Sequence, residues 1–175
     1  MPSQPSSSEP LSISQITKYL QDQNLISEAT AQTIITTPKG KKQTQQHPVE
    51  TIADAQVRDE KNEVLSLDML IAQLSDWSGQ PVYHIDPLKI DVQKIANVMS
   101  FAFAKRHQIL ALEISSTEVT IASAQPFITE WEADLKHVLK KEIKRVIVDP
   151  VGLRKFTVEF YELANNVNQA GALTD

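Results

Sequence analysis

The chain has 175 residues, of which 41% are hydrophobic and 22% charged, with a formal net charge of −5. That length holds one domain with appendages, and the acidic balance supplies no global field for nucleic acid or anionic lipid. Cysteine is absent, which excludes disulfides and thiolate metal sites and fits a reducing, cytoplasmic compartment.

Residues 1–10 are rich in Ser, Pro and Gln and read as a disordered tail without the basic and apolar pattern of a secretory signal. No apolar run approaches the ~20 residues that cross a bilayer. Membrane association is therefore expected only through a partner. Residues 11–36 read as a short helical hairpin. Ile13, Ile16 and Leu20 share a face with Tyr19 beside them, Asn24 suits the left-handed position that ends a helix, and Ser27 caps a second helix carrying Ala31, Ile34 and Ile35. Such a hairpin has too little apolar surface to stand alone. Residues 37–62 contain few large apolar side chains. Lys39, Lys41, Lys42, Arg58 and Lys61 nearly cancel Glu50, Asp54, Asp59 and Glu60, so the stretch reads as a flexible, solvated linker.

An α/β docking domain is expected over residues 63–167. Ser66 opens a helix through Leu67, Leu70, Ile71, Leu74 and Trp77, which Gly79 and Pro81 stop. Asp91 caps one helix running to His107, with Val92, Ile95, Ala96, Met99, Ala102 and Phe103 as its core stripe and Lys105, Arg106 and His107 in its last turn. Val98 and Phe101 lie off that stripe, so the helix is either buried on two sides or shows a patch to a partner, for which these two are candidate contacts. Residues 109–114 and 119–124 are two β-type runs across a short polar loop, hence a hairpin.

Thr129 and Glu132 have the spacing of a capping box. The helix they start is expected to bury Trp131, Leu135, Val138 and Leu139. Residues 143–148 form a third strand. Asp149-Pro150 then starts a last helix, with Leu153, Phe156, Phe160, Leu163, Ala164 and Val167 on its inner face. Residues 168–175 read as a tail. The order of elements predicts an α+β fold, a small mixed sheet of three to four strands packed against helices and preceded by the hairpin and linker. About a hundred residues suffice for an independent core.

No catalytic centre is visible. Gly40, Gly79, Gly152 and Gly171 stand too far apart for a phosphate loop. His47, His84, His107 and His137 lack metal-ligand spacing, so no metal or cofactor is expected. The trio His84, Asp86 and Lys89 around Pro87 reads as a turn with a capped helix start rather than a site. Lys136, Lys140, Lys141, Lys144 and Arg145, with Arg154 and Lys155 nearby, form a basic rim. It lacks exposed aromatics to stack bases and is diluted by acidic neighbours, so it reads as a solvated face or a partner contact rather than a nucleic-acid site. The candidate partner-binding residues are Val98, Phe101, Lys105, Arg106, Lys140, Lys141 and Lys144.

Several motifs over 82–164 carry a resemblance. They are His84-Ile85-Asp86-Pro87-Leu88-Lys89-Ile90-Asp91, Met99-Ser100-Phe101, Ala104-Lys105-Arg106-His107, Ile121-Ala122-Ser123-Ala124-Gln125-Pro126-Phe127, Phe160-Tyr161 and Leu163-Ala164. This block, about half of the chain, resembles the N-terminal region of the type II secretion and type IV pilus assembly ATPases. The resemblance implies a non-catalytic module that docks a hexameric ATPase on the cytoplasmic part of an inner-membrane platform protein, with the ATPase domain of the same parent beyond Asp175. Some relatives bind cyclic di-GMP through a helical motif close to R-L-G-x-x-L-x-x-x-G-x-I. Residues 15–26 fall in its register, but its Arg position is Gln15 and its Gly positions are Thr17 and Asn24. Loss of the Arg removes a bidentate phosphate partner, and loss of the glycines adds side chains where backbone must approach a ligand. The resemblance therefore implies docking, with a cyclic dinucleotide or phosphate-sensing domain as the alternative.

Overall fold

Two six-residue runs, rich in β-branched residues and leucine, set the architecture: β1 (Ile109–Ile114) and β2 (Glu118–Ser123). They pair antiparallel, with a register shift between Ala111 and Glu113. Ser115 closes the hairpin, its N–H bonded to the Glu118 carbonyl at 2.9 Å and its hydroxyl accepting from the Glu118 amide at 3.1 Å. A third strand, β3 (Glu142–Ile147), runs parallel to β2, giving a mixed three-stranded sheet in the order β1-β2-β3. Val82 adds a single parallel bridge beside Ile147. The fold is α+β. The computed structural model describes residues 4–38, 40 and 46–174, so readings on residues 1–3, 39, 41–45 and 175 lie outside the described residues.

The helices follow from caps and apolar spacing. In α1 (Ile13–Asp22), Ser12 and Gln15 form a capping box, the Gln15 amide bonded to the Ser12 hydroxyl at 3.1 Å and the Ser12 amide to the Gln15 side chain at 2.8 Å. Asn24 takes φ 58°. The bonds Leu25 N–H to Leu20 O and Asn24 N–H to Gln21 O complete a Schellman turn at 3.0 and 2.9 Å. Ser27 caps α2 (Glu28–Thr36), and His47 caps α3 (Pro48–Asp54). Ser66 caps α4 (Leu67–Ser78), which Gly79 ends at φ 77°. A turn at Pro87–Lys89 leads to α5 (Val92–Ala96) and α6 (Phe101–His107). α7 (Glu132–Leu139) links β2 to β3, and α8 (Pro150–Thr174) closes the chain.

Two apolar clusters result. One packs α5, α6, α7 and α8 on the sheet around Leu110, Leu112, Ile121, Trp131 and Phe160. The other joins α1 to α4 around Leu20, Ile52, Leu70 and Leu74, and takes in Phe127 and Ile147 from the sheet domain. The N-terminal hairpin is therefore seated on the sheet domain. Tyr19 stacks on Trp77 at 4.4 Å, and Trp77 meets the edge of Phe127 at 4.9 Å.

Six expectations are corrected. The 37–62 linker contains α3, because Val49 and Ile52 recur three residues apart on one face and are buried against α1 and α4. Low average hydrophobicity concealed that pair. The expected helix over 91–107 is broken at residues 97–100. Ser100 caps α6 anew, its hydroxyl accepting the Phe103 amide at 3.1 Å, which offers the backbone an alternative to a continuous helix. Thr129 and Glu132 form no capping box; the Thr129 amide bonds to the Ser7 carbonyl at 3.0 Å, and the Glu132 carboxylate turns to Arg145. That same bond orders part of the expected 1–10 tail. Val138 is 73% exposed, and Leu163 and Val167 are about half exposed on the free side of α8. The tail over 168–175 is helical through Thr174.

The start of α8 is tight. Asp149 Oδ1 accepts the Gly152 amide at 2.7 Å, and a Cβ on Gly152 would lie 2.8 Å from Asp149 Oδ2. Gly152→Ala is expected to displace this cap and cost about 1 kcal/mol, seen as a lower urea midpoint at constant slope. An unchanged midpoint would show that the carboxylate swings aside without losing the cap.

Candidate functional site

The structure divides the candidate partner-binding residues into two groups. Val98 is 6% exposed and belongs to the sheet-domain core, so it is not available to a partner. It points inward because the chain bends at 97–100 instead of continuing the helix. Phe101 is 39% exposed, its ring tilted against Tyr161 at 5.3 Å. Lys105 and Arg106 are exposed in the last turn of α6, shortly before β1 begins at Ile109. Lys140, Lys141 and Lys144 lie toward the opposite end of the sheet, beside the β1–β2 hairpin. A six-residue strand is ~20 Å long, so the two groups do not form one patch.

At the hairpin end, Ser116, Thr117, Lys136, Lys140, Lys141 and Glu142 line an open hollow of about 300 Å³. Lys141 Nζ donates to the Ser115 and Ser116 carbonyls at 2.6 and 3.0 Å and so braces the hairpin. Lys136 pairs with Glu142 at 2.9 Å. Lys140, in the left-handed conformation at φ 54°, and Lys144 on β3 are exposed. Lys144 stands opposite Thr120 in the register of β2 and β3.

Arg145 does not belong to this rim. Its side chain is 9% exposed and its guanidinium lies 4.7 Å from the Trp131 ring centre. It donates to the Ile128 carbonyl at 3.1 Å, to the Gln125 carbonyl at 3.3 Å and to Glu132. Burial lowers its pKa, and the Glu132 carboxylate opposes that shift. Arg154 is likewise engaged, holding Glu50 of α3 bidentately at 2.7 and 2.9 Å.

These contacts define a junction that the sequence reading missed, centred on the loop between β2 and α7. The Leu11 amide bonds to Gln125 Oε1 at 3.0 Å, and Gln80 Nε2 donates to the Pro126 carbonyl at 2.9 Å. His47 Nε2 donates to the Ala124 carbonyl at 2.7 Å, while its Nδ1 accepts the Val49 amide at 3.2 Å. Burial drives the His47 pKa down to about 4. Burial pushes Glu50 up, but Arg154 and the His47 amide outweigh it and leave its carboxyl below the ordinary range. The signals were present in the Gln-Pro-Phe segment and in the order His47-Pro48-Val49-Glu50, which fits an N-cap, an N1 proline and an N3 acid. Among the described residues, no group of three or more His, Asp or Glu side chains gathers to hold a metal, and no helix is long and apolar enough to cross a membrane.

A sheet domain carrying a docked N-terminal helical unit, with polar rims toward the two ends of the sheet, defines an α+β domain. The MshEN domain model matches residues 78–166, and the chain belongs to that family. The type IV pilus assembly ATPase TfpB of Acinetobacter baylyi is 35% identical over 150 residues, covering 83% of this chain and 25% of the relative's length. The chain thus spans about a quarter of that relative. Among solved structures, MshE with cdg aligns with a TM-score of 0.59 at 18% identity, over 83% of this chain and 98% of the other. The N-terminal domain of XpsE aligns at 0.50 and 10% identity, over 91% and 99%. The fold and family are those of the N-terminal domains of type II secretion and type IV pilus ATPases.

Proposed function

We propose that this chain is the docking module of a secretion or pilus assembly ATPase, binding the cytoplasmic part of an inner-membrane platform protein and carrying the ATPase domain of the same parent behind it. The observation that carries the reading is the exposed pair Lys140 and Lys144 on the rim of a chain with net charge −5. A local cationic rim on an acidic body selects an acidic surface and steers its approach. Phe101, Lys105 and Arg106 form a second contact area at the other end of the sheet. The module sits at the membrane through that partner and does no chemistry itself.

Binding to the cytoplasmic domain of the cognate platform protein tests this reading. The 175-residue chain is expected to bind. Lys140→Glu/Lys144→Glu is expected to bind at least ~10-fold more weakly, with a reduced salt dependence. No binding by the unaltered chain sinks the docking role; undiminished binding by the double variant moves the interface to the α6 end.

The second reading is a cyclic dinucleotide sensor. It is favoured by the likeness to MshE, solved with cdg, and by Asn24, which keeps a left-handed backbone where the motif has Gly. Gln15 is committed to the α1 cap, and Thr17 is fully buried in the space a glycine would leave open. Calorimetry with cyclic di-GMP is expected to be flat at high micromolar ligand. A heat of binding would restore the sensor.

A further inference from the structure

His47 is buried at a point where three elements meet: it caps α3, touches the end of β2, and lies beside the Glu50–Arg154 pair that ties α3 to α8. Its two ring nitrogens have fixed and opposite duties. The Ala124 carbonyl can only accept, so Nε2 carries the proton. Nδ1 is then the lone-pair nitrogen, and it takes the Val49 amide. A second proton would have to go on Nδ1, where it would face that N–H, abolish the cap, and leave a cation in a buried site.

We propose that His47 is an acid-operated latch: its neutral ring holds α3 on the sheet domain, and protonation of Nδ1 releases it. The charged groups around the ring do not override this. Glu50 on α3 favours the imidazolium, Arg154 on α8 opposes it, and the Ala124 carbonyl on the sheet side favours a protonated Nε2, which the neutral ring already supplies. Asp149, at the start of α8, acts on Arg154. Glu50 stays ionised in mildly acidic solution because Arg154 and the His47 amide hold its pKa below the ordinary range. Release is local, because α3 is a seven-residue helix that is not stable when undocked.

The direction follows from linkage. Undocked, the ring takes up a proton as pH falls through its ordinary 6.5; docked, it resists until about 4. Latching is therefore at full strength above 6.5 and is lost progressively as pH falls from 6.5 toward 4. With these two values, the opening equilibrium rises about tenfold between roughly pH 7.5 and 5.5.

Amide hydrogen exchange on the whole chain reads this, with rates corrected for intrinsic chemistry and referenced to β2. Exchange in α3 is expected to rise about tenfold between those two pH values, while β1 and β2 stay unchanged. His47→Asn keeps an acceptor for the Val49 amide but cannot reach Ala124, so α3 should open more at both pH values with the tenfold response gone. A pH-independent ratio in the unaltered chain, or a tenfold response that survives His47→Asn, overturns the latch. Should the variant not fold, the imidazole carbon shifts of the unaltered chain decide. A neutral Nε2–H ring that does not titrate near 6.5 supports the latch, and ordinary titration at that value overturns it.

Discussion

Trp131→Ala is expected to lower stability by about 3–5 kcal/mol, the loss typical of removing a fully buried Trp or Phe. Trp131 is 2% exposed and is among the largest fully buried side chains of the described residues. It stands at the entry to α7 and contributes no side-chain cap there, so truncation removes packing rather than a helix signal. Its ring lies in the sheet-domain cluster with Leu110, Ile121 and Phe160, and its face receives the Arg145 guanidinium. A residual cavity and a lost cation–π contact therefore add to the transfer term. Domains are stable by only ~5–15 kcal/mol, so this is a large fraction of the total. Urea unfolding at unchanged slope is the measurement. A loss below ~1 kcal/mol would mean that Trp131 is not a keystone of this core. Trp131→Phe, which keeps an aromatic face for the guanidinium, should recover about half of the loss.

What the sequence disclosed and what it withheld have separate physical causes. The hairpin of β1 and β2, the caps at Ser27, Ser66, Asp91 and Asp149, and the left-handed turn at Asn24 are local. Each is encoded within a few residues and was legible. The errors arose where a distant partner outbid a local preference. Glu132 sits three residues after Thr129, as a capping box requires, but Arg145 on β3 claims its carboxylate. Val98 lay off the helical stripe only because a single helix was assumed. Once Ser100 restarts the helix, the residue turns into the core. Composition masked α3, whose burial rests on Val49 and Ile52, while His47 and Glu50 supply the polar fastening. The rim lysines were legible as charges. That Lys141 props the hairpin and Lys140 stands free depended on where the Ser115 and Ser116 carbonyls lie, which no spacing reveals.

The surface and the junction connect through the loop between β2 and α7. Its carbonyls face Arg145 on one side, while Gln125, Pro126 and Phe127 receive Leu11, Gln80 and Trp77 on the other. The N-terminal unit is thus docked on a loop whose shape is held from within the sheet domain. Anything that loosens the loop should loosen the N-terminal helices, even without touching them.

Arg145→Ala applies that test, with an expected loss of about 3–5 kcal/mol, the cost of breaking a largely buried ion pair from one side. The truncation leaves the Gln125 and Ile128 carbonyls without their donor and leaves the partly buried Glu132 carboxylate without its cation. An unpartnered buried acceptor costs about 1–3 kcal/mol by itself, so the carbonyls matter as much as the carboxylate. Two further results separate this explanation from a simple loss of charge. Arg145→Lys keeps the charge, but one ammonium cannot reproduce the guanidinium fork that spans the loop and Glu132, so it should recover less than half of the stability. Arg145→Met/Glu132→Leu removes both charges and refills the volume, and should recover more than Arg145→Lys does. Limited proteolysis supplies the structural readout: cleavage in residues 4–38 should accelerate in Arg145→Ala although no contact from that segment to Arg145 is lost. Unchanged cleavage there, with stability reduced, would show that the loop keeps its shape without Arg145 and that the two units are held together by their apolar contacts alone.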